Sequence, residues 1–333
     1  MIISGDVGGT KTLLGVFEPA AHRPRLLATH EYATAEHGSF VEILDQFERA
    51  ASATSIDAVV VGVAGPVVGN AARLTNISWD ITAAEIARHL GVPRVQLLND
   101  LEALANSVDV LTAEEVEVLQ VGTPRADGNA AVIAAGTGLG QAILHRVGGR
   151  LCPAASEGGH ADFAARTDRE IELVKMLREA FGRAEVEQVL SGPGLVNLHR
   201  FTHRGGQCEM LEGVDETEAP ARISQAGLGG RCQQCADALR MFVSAYGAEA
   251  GNLALRTMAT SGVYVGGGIA PKIRPALKTG LFMEAFVAKE PMRELLERIP
   301  VRVILNSEAG LIGAAVHAQS LLERSGSSRT LPG

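Results

Sequence analysis

Asn99 and Asp100 follow the apolar run Val95-Gln-Leu-Leu98 and precede Leu101-Glu-Ala-Leu-Ala105, so two polar residues stand where a strand ends and a helix begins. Ligands of α/β sheets bind beyond the carboxyl ends of strands. One residue of such a pair can cap the helix. The other then projects, and a projecting carboxylate can take a proton from a substrate hydroxyl. Further along, Ser156-Glu-Gly-Gly-His160 sets Glu157 and His160 on either side of two glycines, which permit a sharp turn with both side chains pointing one way. Carboxylates, amides and imidazoles in a ring recognise neutral polyols through paired hydrogen bonds. A metal site is disfavoured there, because Glu-Gly-Gly-His lacks helical ligand spacing. Glu187, in Glu187-Gln-Val-Leu-Ser-Gly-Pro-Gly194, reads by itself as a solvated helix charge.

Three glycine segments suggest a phosphate ligand. Gly5-Asp-Val-Gly-Gly-Thr-Lys-Thr12 resembles a Walker loop but fails its spacing, since the second glycine should fall where Thr10 stands. Leu13, Leu14, Val16 and Phe17 then read as a strand, not as the helix whose N-terminus would hold a phosphate. The segment is therefore a strand–turn–strand with Asp6 at the bend. Gly136-Thr-Gly-Leu-Gly140 repeats that logic between the apolar runs 130–135 and 141–145. Backbone N–H groups and threonine hydroxyls of two such turns can grip a polyphosphate from both sides. Asp6 would hold Mg²⁺ through water, because that ion keeps several of its waters. Tyr264-Val-Gly-Gly-Gly268 runs a third strand into glycines, which suits close backbone approach to a flat or phosphorylated ligand.

The elements that must position these residues alternate between strands and helices. Strands are expected at 2–5, 13–17, 26–31, 58–63, 95–98, 130–135, 141–145, 262–265 and 300–305. Helices are expected at 40–51, with apolar residues at 40, 43, 44 and 47, at 81–90 and at 309–321. Thr82 with Glu85 three residues on forms a capping-box pattern. The restart near residue 130 points to a duplicated α/β domain, with its two halves facing each other across a ligand cleft. The polar tail 325–333 is expected to be disordered.

Bulk properties agree with about two domains, each with a packed core. The chain has 333 residues, 46% of them hydrophobic but only 4% aromatic, so the cores must be built from Ala, Val, Leu and Ile. A net charge of −8 argues against a nucleic-acid groove. The first residues lack a basic start and Asp6 interrupts the apolar stretch, so no signal peptide is expected. No window approaches the length of a membrane span. The four cysteines, at 152, 208, 232 and 235, then read as reduced thiols. Cys232-Gln-Gln-Cys235 has no second close pair to complete a zinc site and falls in an expected helix over 232–246, so it reads as thiols on a helix.

Taken in order, these segments resemble bacterial glucokinases of the enterobacterial, non-ROK type. The carriers are Gly5–Thr10, Leu74-Thr-Asn-Ile-Ser-Trp79, Leu98-Asn-Asp100, Ala135–Gly140, Glu157-Gly-Gly-His160, Val189-Leu-Ser-Gly-Pro-Gly-Leu-Val-Asn197 and Gly266-Gly-Gly-Ile269, spread over roughly residues 4–322. The resemblance implies the actin–hexokinase superfamily: two duplicated actin-like ATPase (ribonuclease H-like) domains around a central cleft. The small domain would span 1–110 plus 301–321 and the large domain 111–300. It implies transfer of the γ-phosphoryl group of ATP to the 6-hydroxyl of D-glucose, with Asp100 as the catalytic base. Asn99, Asp100, Glu157, His160 and Glu187 would hold the sugar. Asp6, Gly8, Gly9, Thr10, Lys11, Gly136, Thr137 and Gly138 would hold the phosphates and Mg²⁺, and Gly266 and Gly267 would border the nucleotide. A cytoplasmic homodimer that binds neither nucleic acid nor membrane is expected. Lys11 departs from the asparagine of the enterobacterial enzyme, and is left either near the phosphates or in solvent. The cysteine cluster that follows the Glu-Gly-Gly-His-like segment in ROK proteins is absent here, where Ala161-Asp-Phe-Ala-Ala follows. A kinase for another hexose, a non-catalytic sugar-sensing regulator and an ATP-driven chaperone or filament protein are the alternatives.

Overall fold

The computed structural model describes residues 1–51, 55–74, 77, 79–204 and 206–327. The chain divides into two compact units: Met1–Thr112 with the segment from Asn306 onward, and Ala113–Leu305.

The first unit is built on a five-stranded sheet. Its strands run in the order Arg25–Ala33, Lys11–Glu18, Ile2–Val7, Ala58–Val63 and Val95–Asn99. The first three are antiparallel neighbours and the last two join in parallel. Ala-Val-Val-Val-Gly-Val is buried at every position, as a central strand covered on both faces must be. Side-chain alternation sorts the residues between two cores. Ile3, Val59 and Val61 face one core with Phe40, Ile43, Leu44 and Phe47 of the helix Phe40–Ala51. Ile2, Ala58 and Val60 face the other with Leu311, Ala314, Ala315 and Ala318. These last four belong to the helix Ala309–Ser327, which returns from beyond the second unit to cover the sheet. Small residues let it pack closely against the helix Asp100–Asn106. A methyl added to Gly313 would lie 1.8 Å from the Ala103 carbonyl oxygen, so only glycine fits there.

The second unit repeats the strand order. Arg150–Ser156, Leu139–Val147, Ala130–Ala135, Gly262–Gly266 and Val301–Ile304 lie side by side, with Val116–Gln120 added antiparallel at the far edge. The helix Gln233–Thr257 brings Phe242 and Tyr246 into the core, where they pack edge-on with each other and Tyr246 packs edge-on with Phe282. The Tyr246 hydroxyl is fully buried, and burial raises its pKa. It accepts the Ala135 N–H at 3.2 Å and lies 3.3 Å from the Ile133 and Gly266 carbonyls, so one side chain pins the ends of two adjacent strands.

Several boundaries differ from expectation. Val301–Ile304, grouped by the sequence with the small domain, pairs with the strand Gly262–Gly266, and only the helix after it returns. Asp80–Thr82 forms a short strand, so the second helix begins at Ala83, where Thr82 caps it by accepting the Glu85 N–H as expected. The last helix runs through Ser327, so 325–327 are helical, whereas 328–333 of the expected tail lie outside the described residues. Of the segment 74–79, Thr75, Asn76 and Ser78 also lie outside them, while Leu74 and Trp79 are buried in the first core. Among the described residues no helix is long and apolar enough to cross a membrane.

Candidate active site

In the first unit the chemistry collects at the carboxyl ends of the parallel strands. Val7, Val63 and Asn99 are register partners across three of them, so the Gly8–Thr10 turn, the Ala64-Gly65 bend and the Asn99-Asp100 pair emerge side by side. Asn99 takes the capping role. Its Oδ1 accepts the Leu101 N–H at 3.0 Å while Nδ2 donates to the Gly65 carbonyl at 3.0 Å. The Asn99 side chain also reaches the Asp100 carboxylate. Asp100 is the first residue of the helix, and its Oδ1 accepts the Leu101 N–H at 2.8 Å. Its carboxylate is open to solvent yet surrounded by enough protein that burial raises its pKa, against hydrogen bonds that lower it.

Asp6 lies beside it, with its carboxyl pKa raised to about 6. Burial is the main cause and the Asp100 charge the second, while Lys11 acts in the opposite direction. Among the described residues nothing donates a hydrogen bond to the Asp6 carboxylate, and Gly310 leaves room for it: a methyl there would sit 3.0 Å from Oδ2. A half-buried carboxylate with no hydrogen-bond donor, next to a second one, is a donor set suited to a hard divalent cation. The Gly8 N–H donates to the Lys11 carbonyl and closes the turn. Thr34, which the sequence analysis did not single out, clamps it from the 3₁₀ turn Thr34–Glu36 that follows the strand Arg25–Ala33: its hydroxyl donates to the Gly8 carbonyl and its N–H to that of Thr10. Lys11 forms an ion pair with Glu31 across the strands at 2.5 Å, and both side chains are more than half exposed.

In the second unit the Gly136–Gly138 turn, the Glu157–His160 turn and Glu187 converge. Glu187 is not a helical charge, which corrects the reading of that residue by itself. It lies ahead of the helix Gly192–His203, and its Oε2 accepts the Leu139 N–H at 2.8 Å. Its own N–H donates to the Gly159 carbonyl. The fit against the glycine turn is close, since a methyl on Gly138 would meet Glu187 Oε2 at 2.7 Å. Gly158–His160 form one 3₁₀ turn. His160 Nδ1 donates to Glu185 Oε2 at 2.9 Å, and this bond, followed by the charges of Glu187, Glu185 and Glu157, raises the imidazole pKa against partial desolvation. Glu185 therefore fixes the ring and leaves Nε2 outward; the acidic alternation Glu185-Val-Glu187 was the one available signal for it. Gly192 N–H donates to the Gly136 carbonyl, and Ile269 N–H to that of Ala135, which ties the second glycine turn to the third glycine segment. Gly267 has a φ of +82°, and a methyl on it would lie 2.3 Å from the Ala135 oxygen. Thr137 lies within the turn between the paired residues Ala135 and Leu139.

Comparison with known proteins agrees with this arrangement. A family model described as glucokinase matches residues 3–321. A glucokinase of Nostoc punctiforme is 37% identical over 339 residues, covering 96% of this chain and 99% of the relative. A glucokinase of Yersinia pestis is 34% identical over 320 residues, covering 96% of each. Among solved structures, the glucokinase of an Antarctic psychrotroph superposes with a TM-score of 0.86 at 27% identity, covering 96% of this chain and 98% of that one. With the fold, the two glycine turns and near full-length similarity in agreement, the chain belongs to the glucokinase family.

Proposed function

We propose that the protein transfers the γ-phosphoryl group of ATP to the 6-hydroxyl of D-glucose, with Asp100 accepting the hydroxyl proton. Family membership supports the reaction. The observation that supports the base is the place of Asp100: an open carboxylate at the carboxyl ends of the parallel strands, beside Asp6 and held by the Leu101 N–H. The proton need move only as the attacking oxygen becomes acidic in the transition state, so an ionised carboxylate is sufficient. Asn99, Glu157, His160 Nε2 and Glu187 hold the sugar hydroxyls. The backbone of Gly8, Gly9 and Thr10, with Lys11 near, and that of Gly136, Thr137 and Gly138 cradle the phosphates, while Gly266 and Gly267 border the nucleotide. Glu185 and Thr34 act through their neighbours, holding His160 and the first turn in place.

Asp6 is the residue that would hold Mg²⁺. The ion would offset charge on the phosphoryl oxygens, as in other phosphoryl transfers. The homodimer and the cytoplasmic location rest on family resemblance.

Glucose-dependent release of ADP is the test, run with glucose, fructose, mannose and N-acetylmannosamine at matched enzyme. Glucose should exceed the others in kcat/KM by about tenfold or more. Equal or higher kcat/KM for another of these sugars would redirect the specificity, and ATP hydrolysis independent of any sugar would remove the kinase reading.

A further inference from the structure

A second cluster of reactive side chains lies in the second unit, built from residues that the phosphoryl transfer does not use. His199 and His203 stand one turn apart at the end of the helix Gly192–His203, and their rings stack with centroids 3.9 Å apart. Cys208 follows in the next loop. Cys232 caps the helix Gln233–Thr257 and Cys235 lies in its first turn, so the pair is not wholly helical as the sequence suggested. Ligand atoms of His199, His203, Cys208 and Cys235 all lie within 4.8 Å of one another. Cys232 Sγ is 3.5 Å from His203 Nε2.

We propose that Cys208, Cys232, Cys235 and His203 bind one structural zinc ion. Tetrahedral zinc with ordinary Zn–S and Zn–N bonds requires a sulfur–sulfur edge of about 3.8 Å and a sulfur–nitrogen edge of about 3.5 Å. The Cys208–Cys235 sulfurs are 3.9 Å apart, and the Cys232–His203 pair is at 3.5 Å. The surroundings suit an ion. His203 Nδ1 donates to the His199 carbonyl at 3.0 Å, which fixes the ring and leaves the Nε2 lone pair toward the sulfurs, as ligating imidazoles are usually held. The Cys235 N–H donates to Cys232 Sγ at 3.4 Å, and the N-terminus of a 25-residue helix favours thiolate there. His199 Nε2 is buried with no partner, so a second imidazole lies at the same place. Cys235 is fully buried. Without an ion, three thiols and two imidazoles would share one partly buried spot with few donors and acceptors to satisfy them. With one, the ion would join the end of one helix, a loop and the start of another.

The test uses the full chain purified without chelator. Metal analysis should find about one zinc per chain. Exchange with Co²⁺ should give the intense visible bands of tetrahedral cobalt and a near-ultraviolet sulfur-to-cobalt charge-transfer band. Cys208→Ser and His203→Ala should each reduce zinc retention at least about tenfold, and a zinc-selective chelator in excess Mg²⁺ should lower the unfolding midpoint of the parent protein only. Should these variants fail to fold, the cobalt spectrum of the parent decides by itself. A parent protein from zinc-supplemented cells that holds no zinc and gives no charge-transfer band would overturn the site. So would a Cys208–Cys235 disulfide in the protein as purified. Zinc lost from His199→Ala but kept by His203→Ala would overturn the assignment of the imidazole.

Discussion

Replacing Asp100 by Asn should lower kcat by about 10²–10⁴ while glucose binding stays within a few-fold of the parent. The substitution keeps the shape and an oxygen for the Leu101 N–H, and asparagine is as good at a helix start as aspartate. It removes only the ability to take a proton. The parent should also lose rate on the acid side as Asp100 becomes protonated, and because its pKa is raised that loss begins at higher pH than for an ordinary aspartate. Steady-state kinetics with calorimetric titration of glucose separates the two effects. Turnover within about tenfold of the parent in a folded variant would mean that another group receives the proton.

Asp6→Asn is expected to change stability and activity in opposite directions. The Asp6 carboxyl has a pKa of about 6 in the folded protein against an ordinary 3.8. Well below pH 3.8 the group is neutral both folded and unfolded, and it costs nothing. As pH rises from 4 through 6 the unfolded chain releases the proton more readily than the folded one, so stability falls, and above pH 7 the full cost is present. A difference of that size corresponds to about 3 kcal/mol as an upper figure. The variant should therefore unfold on the order of 5 °C above the parent at pH 8 without divalent cations, and close to it at pH 4. Mg²⁺ should stabilise the parent and not the variant, and the variant should be a poor kinase. Thermal unfolding at the two pH values, with and without Mg²⁺, measures this. An equal effect at both pH values would show that the charge on Asp6 is not what the fold resists.

Much of the frame can be read from local pattern. The helix at 40–51 and the strands at 58–63 and 130–135 were delimited by apolar spacing alone, because each buries a continuous face. Both glycine hairpins were legible for the same reason, as apolar runs interrupted by a turn. The short sheet formed by Val67–Val68, Ala71–Arg73 and Asp80–Thr82 was not, since strands of two or three residues show no period. Nor was the anchoring of Glu187. Its partner is the backbone N–H of Leu139, far away in sequence, and a main-chain N–H that donates to a side chain leaves no signature in the identity of its residue. Thr34 and Tyr246 escaped for that reason too, because both act on carbonyls and N–H groups brought near by the sheet. Cys232-Gln-Gln-Cys235 looked incomplete because the cysteine and histidines nearest to it come from 24 or more positions earlier.

The helix that closes over the Ile2, Ala58 and Val60 face is made after the whole of the second unit. During synthesis the opening 112 residues emerge without it, and the whole of the other unit follows before the covering segment leaves the ribosome. Domains usually fold in the order in which they are translated. Here the middle of the polypeptide should reach protease resistance first, and the amino-terminal part should acquire it only after release. Nascent chains arrested near residue 305 and treated with protease would show this, and a resistant fragment covering residues 1–112 at that stage would contradict it.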